Sequence, residues 1–139
     1  EHQLQVVALP LTNGGLLGRR GQTTPVQRPL APIRQLRDRG VCVAVGGDNV
    51  QDPWFPGGNL DPLALMAMSV PLAQLAPWDQ EGIAPFSTDA ARLLGLAWDG
   101  VLRPGAPADL IHMPTGGWPE LLSAPPQRKV LVGGVWVQD

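Results

Sequence analysis

Asp48 is the residue of this sequence whose position most favours chemistry. It follows a run of five small or β-branched apolar residues, Val41–Val45, and two glycines, Gly46 and Gly47. A short apolar run bounded by glycine predicts a strand buried on both faces, as in a parallel sheet. Parallel α/β folds place ligands and catalytic groups where such strands end. Position alone leaves a second interpretation open, in which Asp48 only caps the following turn.

The residues after Asp48 favour the chemical interpretation. The segment Gly47–Trp54 reads G-D-N-V-Q-D-P-W. It resembles the segment after the last barrel strand of the amidohydrolase superfamily, and within it the bacterial cytosine deaminase branch, where G-x-D-[DN]-V-x-D-P-W is typical. The resemblance implies that Asp48 binds the catalytic metal and shuttles a proton, and that Trp54 packs over the substrate ring. It also implies that Asn49, where the family often carries a second acidic residue, contacts a ring edge of the substrate.

The elements that position Asp48 follow from the hydrophobic pattern. Leu4–Leu9 predicts a second buried strand, ended by Pro10, and Leu30–Gly40 predicts an amphipathic helix that stops at its glycine. A strand, a loop, a helix and a strand form a βαβ unit, which requires a parallel sheet with a right-handed crossover. Both strands then end on the same side of the sheet. The loop after the first strand is therefore expected to lie close to Asp48.

That loop, Leu11–Pro25, is long and rich in glycine, which predicts a functional or a disordered segment. In the corresponding loop of the amidohydrolase family, a glutamine is typical at the position of Leu17, and bulkier residues are usual at the positions of Gly14 and Gly15. These differences bear on which substrate is bound, because this loop borders the substrate pocket in the family. The charges of Arg19 and Arg20 are open to two interpretations, as solvated loop charges or as part of the site. The loop resembles the family segment N-P-L-x-N-x-x-L-Q-G-R, which follows barrel strand seven, at Pro10, Leu11, Asn13, Leu16, Gly18 and Arg19.

Two more helices are predicted further along the chain. Leu60–Leu75 is apolar on nearly all sides, which predicts a buried or interfacial helix that Pro71 kinks or splits. A second helix is predicted to open with Ser87 or Thr88 as its cap and to end at Gly95.

The C-terminal part of the sequence predicts short strands. Gly100–Met113 resembles the superfamily segment G-x-I-x-x-G-x-x-A-D-L, and Arg128–Val137 predicts a hairpin with a Gly-Gly turn. In the family, these strands complete a small β-sandwich beside the barrel. Asp109 is interpreted as a turn residue and His112 as a structural histidine.

The predicted fold class is α/β, as the C-terminal portion of a metal-dependent (β/α)8 barrel plus part of a small β-sandwich domain. The resemblance assigns the two buried strands to barrel strands seven and eight. The predicted domains are residues 1–98 for the part of the barrel and residues 99–139 for the closing strands of the sandwich.

Composition narrows the class of protein and its partners. The chain has 139 residues, 16% of them charged, and a net charge of -2, which argues against nucleic acid and anionic membranes as partners. The single cysteine, Cys42, cannot form an intrachain disulfide and fits a reducing cytoplasm. No apolar run approaches the ~18 residues of a membrane span, and the N-terminus has no signal-peptide pattern. Because no initiator Met is present, we expect the chain to begin within a longer protein.

The histidines that such enzymes use to bind metal are not found in this sequence. The family takes an H-x-H pair from strand one, another His from strand five and an acid–base His from strand six, whereas His2 and His112 fit none of these places. A hydrolytic metal site needs about three protein ligands. We therefore expect the chain alone to hold no metal and to be inactive. The complete enzyme is implied to use Fe or Zn to activate water against a cyclic amidine or amide such as cytosine, with release of ammonia.

The resemblance also implies the partners. They are a small heterocyclic substrate, the remaining N-terminal part of the same enzyme, and further copies in a homo-oligomer. Two alternatives stay open. The chain could be a non-catalytic structural or interaction module with large apolar surfaces, or a piece of an enzyme whose remaining two thirds form another piece.

Overall fold

The computed structural model describes residues 4–80, 82–124 and 126–137, and His2 lies outside these ranges. Its strands form two sheets, one of two strands and one of three. The strands are β1 (Gln5–Ala8), β2 (Cys42–Val45), β3 (Leu110–His112), β4 (Lys129–Val132) and β5 (Val135–Trp136). The helices are α1 (Pro10–Leu16), α2 (Ile33–Asp38), α3 (Pro62–Ala73), α4 (Thr88–Leu93) and α5 (Trp118–Ser123), with a short 3-10 helix at Ala84–Phe86.

The two predicted buried strands pair as a parallel sheet. The register runs from Gln5 opposite Cys42 to Ala8 opposite Val45. The N–H of Gly46 adds a further bond to the carbonyl of Ala8, at 2.9 Å. With α2 between the strands, this is the βαβ unit that the sequence predicted. The prediction is confirmed, although α2 is shorter than Leu30–Gly40.

The segment after β1 differs from its prediction, because its first seven residues form helix α1. Pro10 stands at the first helical position, where its missing N–H and fixed φ are favourable. Gly14 and Gly15 are poor helix formers, and tertiary packing explains the presence of Gly15. A Cβ on Gly15 would stand 2.7 Å from Cε2 of Phe55, so only glycine lets that ring lie against the helix.

Helix α3 is the long apolar helix that the sequence predicted, and it continues through Pro71 to Ala73. Pro71 therefore does not split the helix, and the alternative, a kink at Pro71, stays a prediction. Pro71 lies in the last turn, where its missing N–H removes one helical hydrogen bond near the end. Gln74 then ends the helix in the left-handed conformation, at φ 53°, and the N–H of Leu75 donates to the carbonyl of Val70 at 2.9 Å.

Helix α4 begins at Thr88 with Ser87 at the N-cap position, as predicted, but Ser87 makes no side-chain cap bond. The hydroxyl of Ser87 donates to the carbonyl of Ile83 at 3.1 Å and makes no cap bond. Asp89, in the first turn, is 7% exposed and forms an ion pair with Arg37 of α2. A buried carboxylate needs such a partner. The pair therefore ties α4 to the βαβ unit.

The C-terminal hairpin is confirmed. β4 and β5 pair antiparallel around Gly133 and Gly134, whose φ angles of 57° and 80° fit a two-residue turn of type I′. Oδ1 of Asp109 accepts the N–H of Gly133 at 2.6 Å, so Asp109 stabilises the turn. β3 completes a three-stranded antiparallel sheet, in which His112 lies opposite Lys129. The sandwich around this sheet stays a proposal.

One hydrophobic core connects the βαβ unit to the C-terminal residues. It contains residues of β1, α2, β2, α3 and α5. The division into residues 1–98 and 99–139 stays a prediction. No helix in the described part of the chain is long and apolar enough to cross a membrane. The core residues are Ala8, Ile33, Val43, Val45, Leu63, Met66, Val70, Leu75 and Leu121.

An ion pair joins the second sheet to α3. Asp61 caps α3 by accepting the N–H of Leu63 at 2.9 Å, and both of its carboxylate oxygens accept from the guanidinium of Arg128, each at 2.7 Å. The two side chains are 27% and 31% exposed. The hydrogen bonds from Arg128 lower the pKa of Asp61 from 3.8 to about 2.

We expect this pair to contribute about 1 kcal/mol, since solvent screens a partly exposed pair. Because the pKa is lower in the folded state, the contribution is present above pH 3.8 and is lost as the pH falls through about 2. Urea unfolding of Arg128→Met should show the loss at pH 7 and a smaller loss near pH 2. Arg103→Met is the control, because its pair with Asp99 is more exposed. Equal losses at both pH values would contradict the prediction.

Candidate functional site

Asp48 lies three residues beyond Val45, the last paired residue of β2, at the carboxyl end of the parallel strands. Its backbone is left-handed, at φ 58°. Aspartate tolerates this region better than most residues, and such conformations cluster at functional sites. Gly47, just before it, has no atom within 4 Å of the place where a Cβ would stand. The carboxylate is therefore presented on an exposed turn beside open space.

The contact of the Asp48 carboxylate is with α1. The hydroxyl of Thr12 donates to Oδ2 of Asp48 at 2.9 Å. Thr12 is fully buried, at 0% exposure. The sequence predicted that the segment after β1 lies close to Asp48, and this bond confirms it. Within the described ranges, this is the one hydrogen bond that the carboxylate makes.

Asp52 organises the loop after Asp48. Its Oδ1 accepts the N–H groups of Trp54 and Phe55 at 2.9 and 2.7 Å, and its Oδ2 accepts from the side-chain amide of Asn49. The hydrogen bond from Asn49, followed by that from Phe55, lowers the pKa of Asp52 below its ordinary value. The ionised carboxylate thus serves as the internal acceptor of this loop.

The loop places two aromatic residues differently. Phe55 is half-buried and packs against Gly15 of α1, whereas Trp54 is 72% exposed. Further bonds close the loop, with the N–H of Gln51 donating to Gly57 at 2.8 Å. Trp54 is thus an exposed indole on an anchored loop, next in the chain to the turn that carries Asp48.

The arginines of the loop after α1 are exposed. Nε of Arg19 donates to the carbonyl of Gly15 at 2.8 Å, and Arg28 donates to the carbonyl of Gly14. Cations favour the C-terminal end of a helix, where carbonyls lack helical partners. Their contacts therefore support the interpretation as loop charges that stabilise the end of α1.

The donors around Asp48 do not by themselves make a metal site. In residues 4–80, 82–124 and 126–137, no three His, Cys, Asp or Glu side chains stand close enough to hold an ion. Asp48 offers one carboxylate, with a neutral hydroxyl beside it. A hydrolytic site needs about three protein ligands and an open position, so this chain fits a metal only as the source of one ligand.

Comparison with known proteins shows the family of the chain that carries this βαβ unit and this strand-end carboxylate. The sequence profile of the amidohydrolase family matches residues 1–138, and the chain belongs to this family.

Relatives within the family differ in the reactions that their names describe. The chain is 32% identical to a pterin deaminase of Rhizobium rhizogenes over 129 residues, which are 93% of this chain and 30% of the relative. It is 33% identical to an imidazolonepropionase of Deinococcus deserti over an alignment of 140 positions that covers 97% of this chain and 33% of that protein. The chain thus spans about a third of the length of these relatives.

Solved structures show the same fold. A 5-methylcytosine deaminase from Klebsiella pneumoniae, liganded with phosphonocytosine, superposes with a TM-score of 0.79 at 23% identity, over 98% of this chain and 34% of that one. The same enzyme liganded with 5-fluorocytosine gives 0.77 at 24% identity, over 96% and 33%. The mixed α/β architecture of this chain is thus shared with part of these structures, which is consistent with part of a (β/α)8 barrel.

Sequence reasoning missed Thr12 and the role of Asp52. Thr12 is one polar residue in a loop-like segment, and only the pairing of β1 with β2 brings it to Asp48. Asp52 left a local signal, because an aspartate two or three residues before N–H groups in a turn commonly accepts from them. Asn49 was expected to face the substrate, and the structure places its Nδ2 on Asp52.

Proposed function

We propose that this chain is the C-terminal part of a metal-dependent amidohydrolase that deaminates a planar nitrogen heterocycle, a cyclic amidine such as cytosine or a pterin. The observation that carries the proposal is the placement of Asp48. Its carboxylate stands exposed at the carboxyl end of a parallel strand, held by a buried hydroxyl and followed by an exposed tryptophan. Family membership and two deaminases among the similar proteins support this reaction class.

Asp48 is the proposed catalytic residue. An ionised carboxylate with one oxygen held by Thr12 can accept a proton and release it again through the other oxygen. In a deamination, the proton leaves the attacking water and goes toward the departing ammonia. A positioned acid–base group contributes about 10²- to 10⁴-fold to such a rate.

Trp54 and Asn49 are the proposed substrate contacts. The exposed indole of Trp54 offers a flat apolar face on which a heterocycle can stack. Asn49 has its Nδ2 directed to Asp52, which leaves its Oδ1 as the acceptor for a ring N–H or amino group. A site that pairs with a substrate N–H discriminates strongly against analogues that lack it.

Asp48 is also the proposed contribution of this chain to a divalent metal, Fe or Zn. The other ligands come from the N-terminal part of the same enzyme, outside this chain. When bound, such a metal lowers the pKa of water toward ~7 and supplies the nucleophile. The proposed setting is a cytoplasmic homo-oligomer in which the second sheet belongs to a small β-sandwich domain.

The proposal is tested by assaying the full-length protein for ammonia release from cytosine, 5-methylcytosine and pterin. Imidazolonepropionate is the comparison substrate, because an imidazolonepropionase is among the relatives. We expect ammonia from at least one of the first three compounds. Turnover of imidazolonepropionate alone, or of none of the four, would contradict the proposed deamination.

Metal content provides a second test. We expect about one Fe or Zn in each full-length protein after dialysis, and none held stoichiometrically by the isolated 139-residue chain, which supplies a single carboxylate ligand. Elemental analysis of both preparations makes the comparison. A tightly held metal in the isolated chain would show that the ligand set has been assigned wrongly.

A further inference from the structure

Thr12 combines complete burial with a polar contact to the site. It lies in α1 at 0% exposure, and its hydroxyl donates to Oδ2 of Asp48 at 2.9 Å, across 36 residues of sequence. A buried hydroxyl without a partner is unfavourable, so its partner matters to the fold. Asp48, by contrast, is exposed on its turn. The bond thus holds a solvent-facing carboxylate from the interior of the protein.

The hydroxyl of Thr12 does not make the hydrogen bond that is most common for a helical threonine. A threonine in a helix commonly donates to the carbonyl four residues earlier, which here is Ala8. The carbonyl of Ala8 already accepts the N–H of Gly46 at 2.9 Å, as part of the parallel pairing. The hydroxyl of Thr12 instead reaches the turn after β2. The end of the parallel sheet and the first turn of α1 together place the hydroxyl of Thr12 against Asp48.

We propose that Thr12 is a positioning residue for Asp48. It holds Oδ2 in place, so that Oδ1 is the oxygen that faces the reaction. The inference rests on the proposed function, in which Asp48 moves a proton and contributes to a metal site. Groups that orient a metal ligand in this way typically change affinity or activity about 10- to 100-fold when they are removed.

The test compares Thr12→Val, which removes the hydroxyl at nearly constant volume, with Thr12→Ser, which keeps it, in the full-length protein. For Thr12→Val we expect kcat to fall and the dissociation constant for Zn²⁺, measured by chelator competition, to rise, each about 10- to 100-fold. Thr12→Ser should restore most of both. Thr23→Val is the control, because Thr23 is exposed and donates only to the carbonyl of Arg20.

Wild-type kcat and Zn²⁺ affinity in Thr12→Val would overturn the inference. So would equal defects in Thr12→Val and Thr12→Ser, which would indicate a packing role. If Thr12→Val does not fold, Thr12→Cys carries the same comparison with a much weaker donor.

A double-mutant cycle with Asp48→Asn separates this inference from the proposed function. If Thr12 acts through Asp48, Thr12→Val should cause little further loss of kcat in the Asp48→Asn background. Multiplying losses would overturn the positioning role. An Asp48→Asn protein of normal kcat would instead refute the proposed function, while a slow Asp48→Asn beside a normal Thr12→Val would refute only the inference about Thr12.

Discussion

Replacing Asp48 by asparagine should lower kcat of the full-length protein about 10²- to 10⁴-fold, the range attributed to acid–base catalysis. Asparagine keeps the shape of the side chain and a carbonyl oxygen that can accept the hydroxyl of Thr12. It cannot take up and release a proton near neutral pH. The reaction should therefore slow while the fold persists.

The backbone favours this choice of variant. Asp48 has a φ of 58°, and asparagine is, with aspartate, among the residues that best tolerate left-handed backbone. Asp48→Ala would add conformational strain to the chemical change. With Asp48→Asn, a fall in kcat at an unchanged melting temperature and an unchanged metal content reports on proton transfer.

Asp109→Asn is the matched control. Asp109 accepts the N–H of Gly133 in the hairpin turn, away from the proposed catalytic residue. The kcat of Asp109→Asn should therefore equal that of the wild type. If Asp48 only capped a turn, its replacement would cost about 1 kcal/mol of stability and leave turnover near normal. A near-wild-type kcat in Asp48→Asn would end the case for Asp48 as the catalytic residue.

Replacing Trp54 by alanine should weaken substrate binding by about 1–3 kcal/mol, the range measured for bases stacked on aromatic side chains. The indole is 72% exposed and contributes little to the core. The free energy of unfolding should consequently change by about 0.5 kcal/mol or less. Substrate affinity should fall while the metal content remains constant.

Trp78→Ala is the control for this prediction, because Trp78 is also exposed, at 60%, and lies outside the Asp48 loop. Substrate titrations and melting curves of both variants make the comparison. A normal KM in Trp54→Ala would remove Trp54 from the substrate site. Equal losses of affinity in the two variants would indicate a general effect of removing surface tryptophans.

Local pattern was sufficient to predict the elements that carry the site. Val41–Val45 is a short apolar run bounded by glycines, a pattern that favours a buried strand, and the glycines after it indicate where the strand ends. The Gly-Gly turn of the C-terminal hairpin was equally accessible, since its backbone angles demand glycine. The assignments of Asp48, Trp54 and Asn49 came from the resemblance, and they stay predictions.

Local pattern failed where tertiary contacts override propensity. The segment Pro10–Leu16 contains two adjacent glycines and reads as a loop, yet it is helical. One of these glycines is accounted for by a tertiary contact, because the Phe55 ring occupies the space that a side chain at residue 15 would need. Asp89 reads as a residue that favours a helix N-terminus, yet its burial requires Arg37 of another helix as its partner. Phe55 and Arg37 are far in the sequence from the segments that they contact, so no local pattern could reveal them.

The sequence by itself determined that a carboxylate follows a buried parallel strand, because strand period, glycine positions and the βαβ order are local properties of the chain. Only the tertiary structure decided which atoms surround that carboxylate. The hydroxyl of Thr12 reaches Oδ2 of Asp48 because β1 and β2 pair in one particular register, which sets the first turn of α1 beside the turn after β2. Thr12 and Asp48 are 36 residues apart in the sequence, and only the packed core brings their side chains within hydrogen-bond distance.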